Sequence, residues 1–251
     1  MRIIAITNQK GGSGKTTTAV NLAAALGELG KKVLVVDLDP QASASSWLGI
    51  HDGGRGLLDV FTDNGNLSDI ICNTDVPGLD LAPSSSWLLG VEKALVGEVG
   101  AELVLKKALE RLPGEWDFIF IDCPPSLGIL SVNALAGSRE VIVPVMAHVM
   151  ALAGLAKLLE TVEVIKERLN PVLAVTGILA CRVDARTRHA LEVLEELRRR
   201  FKGTVYKTTI PENVRVAESF SFAKPITQYD SRSSGAEAFR SLARELIRRG
   251  K

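Results

Sequence analysis

Short apolar runs rich in β-branched residues alternate with longer segments of helical periodicity, and this alternation constrains the fold most. "RIIAIT" precedes "TTTAVNLAAALGELG", "WDFIFIDCPP" precedes "LGILSVNALAGS", "EVIVPV" precedes "ALAGLAKLLETVEVIKERL", and "VLAVTGILACRV" precedes "TRHALEVLEELRRRF". "KKVLVVDLD" and "VYKTTIP" are further strand candidates. Continuous apolar strands separated by helices are what a parallel sheet covered on both faces requires. The expected fold class is α/β: a doubly wound, mostly parallel sheet with helices on both faces. Gly30 and Pro171 stand where helices should stop. No linker or repeat divides the chain, so 1–251 reads as one domain. The stretch 49–78, rich in Gly, Asn and Asp, reads as short helices and loops over one edge.

The first strand runs into "NQKGGSGKTTT", residues 8–18. Glycines after a strand and before a helix let backbone N–H groups approach phosphates, and the helix N-terminus adds partial positive charge. Gly14, Lys15 and Thr16 complete the end of a phosphate-loop pattern. Its first glycine is missing, since Gln9 stands there, and Lys10, Gly11 and Gly12 follow. Lys15 is the candidate for the β- and γ-phosphates and Thr16 for Mg2+, with Ser13 and Thr17 completing the cradle. The loop therefore points to a P-loop NTPase that binds a nucleoside triphosphate with Mg2+, with a second lysine to explain.

Two acidic strand ends agree. "FIFID" delivers Asp122 at the carboxyl edge of a strand, and "VLVVDLDPQ" delivers Asp37 and Asp39. Ligands of open α/β sheets sit at that edge, and carboxylates gathered there without a cation would repel the phosphates. Asp122 is the candidate magnesium holder, partly through water; Asp37 is the weaker metal candidate.

Net charge is +1, but unevenly spread: residues 1–180 hold 14 Lys/Arg against 20 Asp/Glu, and residues 181–251 hold 16 against 9. A basic C-terminal third can mark a nucleic-acid surface or merely solvated helix faces. Cys72, Cys123 and Cys181 match no paired metal or redox spacing, and His51, His148 and His189 are scattered, so both sets read as ordinary residues. "MRIIAIT" carries no basic leader, and "MALAGLAKLL" is too short to span a bilayer and holds Lys157. The expectation is a cytoplasmic protein without a membrane span.

"KGGSGKTT", "DLDPQ", "FIFIDCPPS", "IPENVRVAES" and "KPI", in this order, resemble the ParA/Soj family of deviant Walker A ATPases, which partition chromosomes and plasmids and whose relatives include MinD. The likeness runs from about Arg2 to about Leu246. It implies that Lys10 reaches across a homodimer interface to the nucleotide of the other subunit, so that ATP drives dimerisation. It also implies that Asp39 positions the attacking water, that Pro211 and Asn213 line the adenine, and that hydrolysis is slow until a ParB-type centromere-binding protein stimulates it. Arg186 and Arg215 match family arginines that hold double-stranded DNA without sequence preference. The last helix adds Arg240, Arg244 and Arg248 four residues apart. The family reading places the protein on the nucleoid.

Several stretches depart from the family pattern. "VMAHVMALAGL" puts Met146, His148 and Ala153 where Gln and two Glu are usual, "IPENV" has Glu212 in place of Arg, and "DPQASASSW" has Ala42, Ser43 and Trp47 where Gly, Asn and a small residue are common. These leave the cargo and activating partner open: a positioner of carboxysomes or chemoreceptor clusters is the alternative. An electron-transfer ATPase would need a second cysteine to match Cys123. A MinD-like regulator would need an amphipathic membrane tail, whereas Phe239, Leu242, Leu246 and Ile247 suit packing on the domain. With no extension before the first strand, a separate N-terminal DNA-binding domain is not expected.

Overall fold

Neighbouring residues of each central strand face opposite sides of one sheet, and both sides are covered by helices. The structure is a computed structural model that describes residues 1–148 and 150–250. The side chains of residues 150–153, and so the departure at Ala153, lie outside the described residues. In chain order the elements are β1 (Arg2–Ile6), α1 (Lys15–Glu28), β2 (Val33–Asp37), α2 (Ser43–Trp47), α3 (Gly56–Thr62), β3 (Cys72–Asn73), β4 (Leu79–Ala82), α4 (Val91–Ala94) and α5 (Val104–Glu110). There follow β5 (Phe118–Asp122), α6 (Ile129–Gly137), β6 (Glu140–Met146), α7 (Met150–Arg168), β7 (Ala174–Cys181), α8 (Arg188–Arg200), α9 (Val214–Ser221), α10 (Ile226–Tyr229) and α11 (Ser234–Arg249).

The described strands form a seven-stranded sheet in the order β3-β4-β2-β5-β1-β6-β7. All its pairings are parallel except β3 with β4. Val33, Val35, Phe118, Phe120, Ile4 and Ile6 point to the side packed by α1 and α11. Leu34, Val36, Ile119, Ile121 and Ala5 point to the side packed by α5, α6 and α7. Burial on both sides is why these runs are continuously apolar and show no alternation. Phe239, Leu242 and Leu246 of α11 are fully buried in this core, as its apolar spacing indicates.

One strand has no counterpart among the sequence expectations, and one expected strand needs correction. The stretch after position 78 contains β4, whose four residues interrupt the apolar run with Asp80; Trp116 Nε1 donates to that carboxylate at 2.8 Å. "VYKTTIP" is no regular strand. It follows β7 through isolated bridges, Ile178 to Val205 and Val183 to Pro211. Between them the N–H groups of Lys207 and Thr208 donate to the Glu245 carboxylate at 2.8 and 2.9 Å instead of to β7. One buried side chain thus takes the ladder donors and breaks the strand.

Candidate functional site

β1, β2 and β5 end side by side, and their register sets Ile6 and Asp37 each opposite Asp122. The loop leaving β1 is anchored before it turns. Asn8 Nδ2 donates to the Pro144 carbonyl of β6 at 2.7 Å, while Asn8 Oδ1 accepts from Lys10 N at 3.0 Å. Gly12 (φ 72°) and Gly14 (φ 95°) then take left-handed conformations open to glycine at no steric cost. Gly14 caps α1 with no side-chain acceptor, so the first-turn N–H groups are left for a ligand. Lys15 opens the helix with 7% exposure, whereas Lys10, Gly11 and Gly12 stand exposed.

Electrostatics at the strand ends call for a cation. Both oxygens of Asp122 are buried without a hydrogen-bond partner, as is the Ser13 hydroxyl. Burial, and then the Asp37 charge, push the Asp122 carboxyl well above the usual range, although Thr16 and Lys15 favour its ionised form. Thr16 lies close enough to act on Asp122, yet gives its oxygens no hydrogen bond of good geometry. Asp37 is raised to about 6, chiefly by burial. Its oxygens are nonetheless engaged: Oδ2 accepts from Ser45 N (2.8 Å) and Oγ (2.7 Å), and Oδ1 from Asp39 N (3.2 Å). Asp122 therefore fits a divalent cation, and Asp37 serves first to hold α2 and the Asp39 turn.

Asp39 is itself set by a serine pair. The Ser84 hydroxyl donates to the Asp39 carbonyl at 2.6 Å, and Ser84 N donates to Ser45 Oγ at 2.9 Å. Asp39 lines a cavity of about 700 Å³ together with Lys15, Thr16, Pro211 and Asn213, an arrangement sized for a nucleotide. Asn213 Oδ1 accepts from Arg215 N at 2.8 Å and caps α9, and Nδ2 donates to Ser234 Oγ at 2.9 Å. Arg182 and Glu212 also line the cavity and pair at 2.9 Å.

A family model described as an AAA domain matches residues 1–175. The sporulation initiation inhibitor protein Soj of Bacillus subtilis is 48% identical over 99% of this chain and 99% of its own length. The chain is a member of the Soj/ParA family of partitioning ATPases. The chromosome partitioning protein ParA of Myxococcus xanthus is 43% identical over 99% of this chain and 88% of its own. Among solved structures, cobyrinic acid a,c-diamide synthase from Mycobacterium smegmatis, with bound ATP analogue and magnesium, superposes with a TM-score of 0.86 at 36% identity, covering 99% of this chain and 95% of that one.

The arginines singled out in this Soj/ParA chain are not alike. Arg186 extends into solvent and pairs with Asp184 at 2.8 Å. Arg215 pairs with Glu218 at 2.9 Å and Arg244 lies 3.5 Å from Glu237, both half-exposed. Such surface pairs exchange readily for a phosphate. Arg240 is different: it forms a two-pronged pair with Glu28 at 2.7 and 2.9 Å and donates to the Ser231 carbonyl, so its guanidinium joins α11 to α1. Arg240 is withdrawn from the candidate DNA surface. Asn8, Ser45, Ser84 and Arg182 were missed in the sequence because no motif marks a residue whose role is to hold another; for Ser45, only its spacing eight residues after Asp37 hinted at it. His148 and His189, far apart in sequence, meet edge to face at 5.7 Å. Among the described residues no helix is long and apolar enough to cross a membrane.

Proposed function

We propose that this Soj/ParA-type chain is an ATP-dependent switch: it binds ATP with Mg2+, closes as a homodimer around two nucleotides, holds duplex DNA without sequence preference, and is turned over by a ParB-type partner to segregate a chromosome or plasmid. The observation that carries the proposal is the unequal exposure of two lysines of one loop. Lys15 is buried at the helix start, and Lys10 faces outward, where a second copy can present its phosphates.

On this reading the amides of Gly11, Gly12, Ser13 and Gly14 and the Lys15 ammonium cradle the phosphates, with Thr17 beside them. Asp122, with Thr16, holds the magnesium, and Asp37 steadies the turn beside it. Bound there, Mg2+ neutralises developing charge on the phosphate oxygens. Asp39 orients the attacking water, and Pro211 and Asn213 face the base. A Lys10 ammonium from each partner adds charge in a water-poor site, so loss of the γ-phosphate loosens the dimer. Arg186, Arg215 and Arg244 supply phosphate contacts to DNA, which places the ATP-bound dimer on the nucleoid in the cytoplasm. The buried face of α11 counts against a MinD-like membrane tail.

Phosphate release measured with the protein alone, with DNA, and with DNA plus the ParB-type protein tests the proposal. It calls for turnover far below the ~10 per second of metabolic enzymes, rising only when DNA and partner are both present. Fast unstimulated release would overturn it.

A further inference from the structure

A second cavity, of about 870 Å³, lies between the start of β7 and the end of α11, at the other ends of the strands from the nucleotide cavity. β7 joins the two: Thr176 lines this one, and Cys181, five residues on and so about 16 Å away, lines the other. Its wall is neutral and its mouth positive. Arg2 forms a two-pronged pair with Glu140 at 2.7 Å and donates to the Leu246 carbonyl at 2.9 Å, which blunts the negative end of α11. Arg249 pairs with Glu245 at 2.9 Å, and Glu245 also accepts from the Lys207 and Thr208 amides. These two carboxylates cancel these two arginines. Lys207 and Arg248 remain, both exposed, and among the described residues neither side chain has a carboxylate partner. Arg198 adds a third cation nearby, donating to the Lys207 carbonyl at 3.3 Å.

The inner wall is what points to a ligand. Tyr206, fully buried, lines the cavity, and its hydroxyl has no hydrogen-bond partner. The Thr176 hydroxyl is also buried without one; it lies near enough to Glu140 to favour the ionised carboxylate but makes no hydrogen bond of good geometry. A buried hydroxyl left bare costs free energy that a bound acceptor would return. The Tyr206 ring is held in place, since the Arg249 guanidinium lies over it at 4.2 Å and a β-carbon at Gly177 would collide with its other side chain atoms at 2.1 to 2.8 Å. Two orphan donors behind two unpaired cations have the chemistry of an anion site.

We propose that this cavity binds a small phosphorylated molecule, with Lys207 and Arg248 holding phosphate oxygens at the mouth and Tyr206 and Thr176 donating to them from within. Its volume suits a metabolite-sized ligand. A DNA duplex fits less well, because its convex backbone cannot carry a phosphate past the mouth to a buried hydroxyl. The inference needs no dimer, DNA or partner protein, so it stands or falls apart from the switch reading.

Inorganic pyrophosphate is the probe, titrated calorimetrically into the full chain with ADP and magnesium saturating the nucleotide cavity. Binding should appear in the unmodified protein, persist in Lys15→Ala, and weaken by about tenfold or more in Lys207→Glu/Arg248→Glu. Tyr206→Phe should weaken it about fivefold, yet leave the melting temperature without pyrophosphate unchanged or raised, because the variant deletes an unsatisfied hydroxyl. Thr176→Val, which deletes the second hydroxyl, should behave alike. Absence of binding, loss of binding in Lys15→Ala, or equal binding by Lys207→Glu/Arg248→Glu overturns the site. Equal binding by both Tyr206→Phe and Thr176→Val reduces it to surface charge and overturns it as well. Displacement of pyrophosphate by a short random duplex would assign the cavity to DNA phosphates and contradict the small-molecule reading.

Discussion

Asp37 and Asp122 lie directly opposite each other at the ends of neighbouring parallel strands, both buried, yet only Asp37 is satisfied by hydrogen bonds from the chain. Two carboxylates so placed, with one left bare, are stable together chiefly when a cation joins them. The site is thus built for its ligand at a cost to the protein without it.

Asp122→Asn removes that buried ionisable group at nearly unchanged volume. Without nucleotide the variant should be more stable by about 1 kcal/mol, seen as a melting temperature raised by about 2–4 °C. With ATP and magnesium the unmodified protein should gain about 2.7 kcal/mol at a hundredfold excess over Kd, and the variant should gain little. Thermal melts with and without ATP and magnesium check both halves.

Stability without ligand should peak at mildly acidic pH. Asp37, raised to about 6, and Asp122, also raised well above its ordinary value, take up protons on folding, so their contribution is complete below the ordinary carboxylate range, and that of Asp37 is lost as pH rises through about 6. Glu140 and Glu245 act oppositely. Burial disfavours their ionisation, but the 2.7 Å pair with Arg2 and the Lys207 and Thr208 amides outweigh it and lower both, so their contribution disappears as pH falls through the ordinary glutamate range. Urea midpoints should be highest at about pH 5 and move upward in pH when ATP and magnesium are present. A ligand-free midpoint rising steadily from pH 5 to 8 would contradict this account.

Ala42 occupies a left-handed conformation (φ 52°) at the start of α2, where the family pattern has Gly. Ala42→Gly relieves about 1 kcal/mol of local strain and returns part of it as unfolded-chain entropy, for a net gain of roughly 0.5 kcal/mol. A lowered denaturation midpoint would show that neighbouring contacts hold Ala42 without strain.

Gly177→Ala should do the reverse. Its β-carbon would meet the fully buried Tyr206 ring, 2.7 Å from Cζ, and that ring is held under the Arg249 guanidinium at 4.2 Å. A loss of about 1–3 kcal/mol is expected in urea denaturation, and Tyr206→Phe should recover little of it because the ring remains.

Much of this was legible in the sequence. The strands that carry the site are buried on both faces and announce themselves as continuous apolar runs. Gly14, Lys15 and Asp122 sit where a strand-loop-helix pattern requires. What was not legible depends on tertiary partners. β4 is carried by only four residues with Asp80 in their midst, and the break after Val205 depends on Glu245, roughly forty residues later. Arg240 read as a free basic residue because helical spacing cannot reveal Glu28, which faces it from α1. The serine pair behind Asp39 joins positions 39 residues apart by a single hydrogen bond.

The central claim, that Lys10 makes ATP a dimerisation switch, is tested most directly by sedimentation of Asp39→Ala, a variant expected to bind ATP without hydrolysing it. With ATP and magnesium it should sediment as a dimer and with ADP as a monomer, and adding Lys10→Ala should return it to a monomer that still binds ATP. A dimer that survives Lys10→Ala unchanged, or one that forms equally well with ADP, would contradict the account.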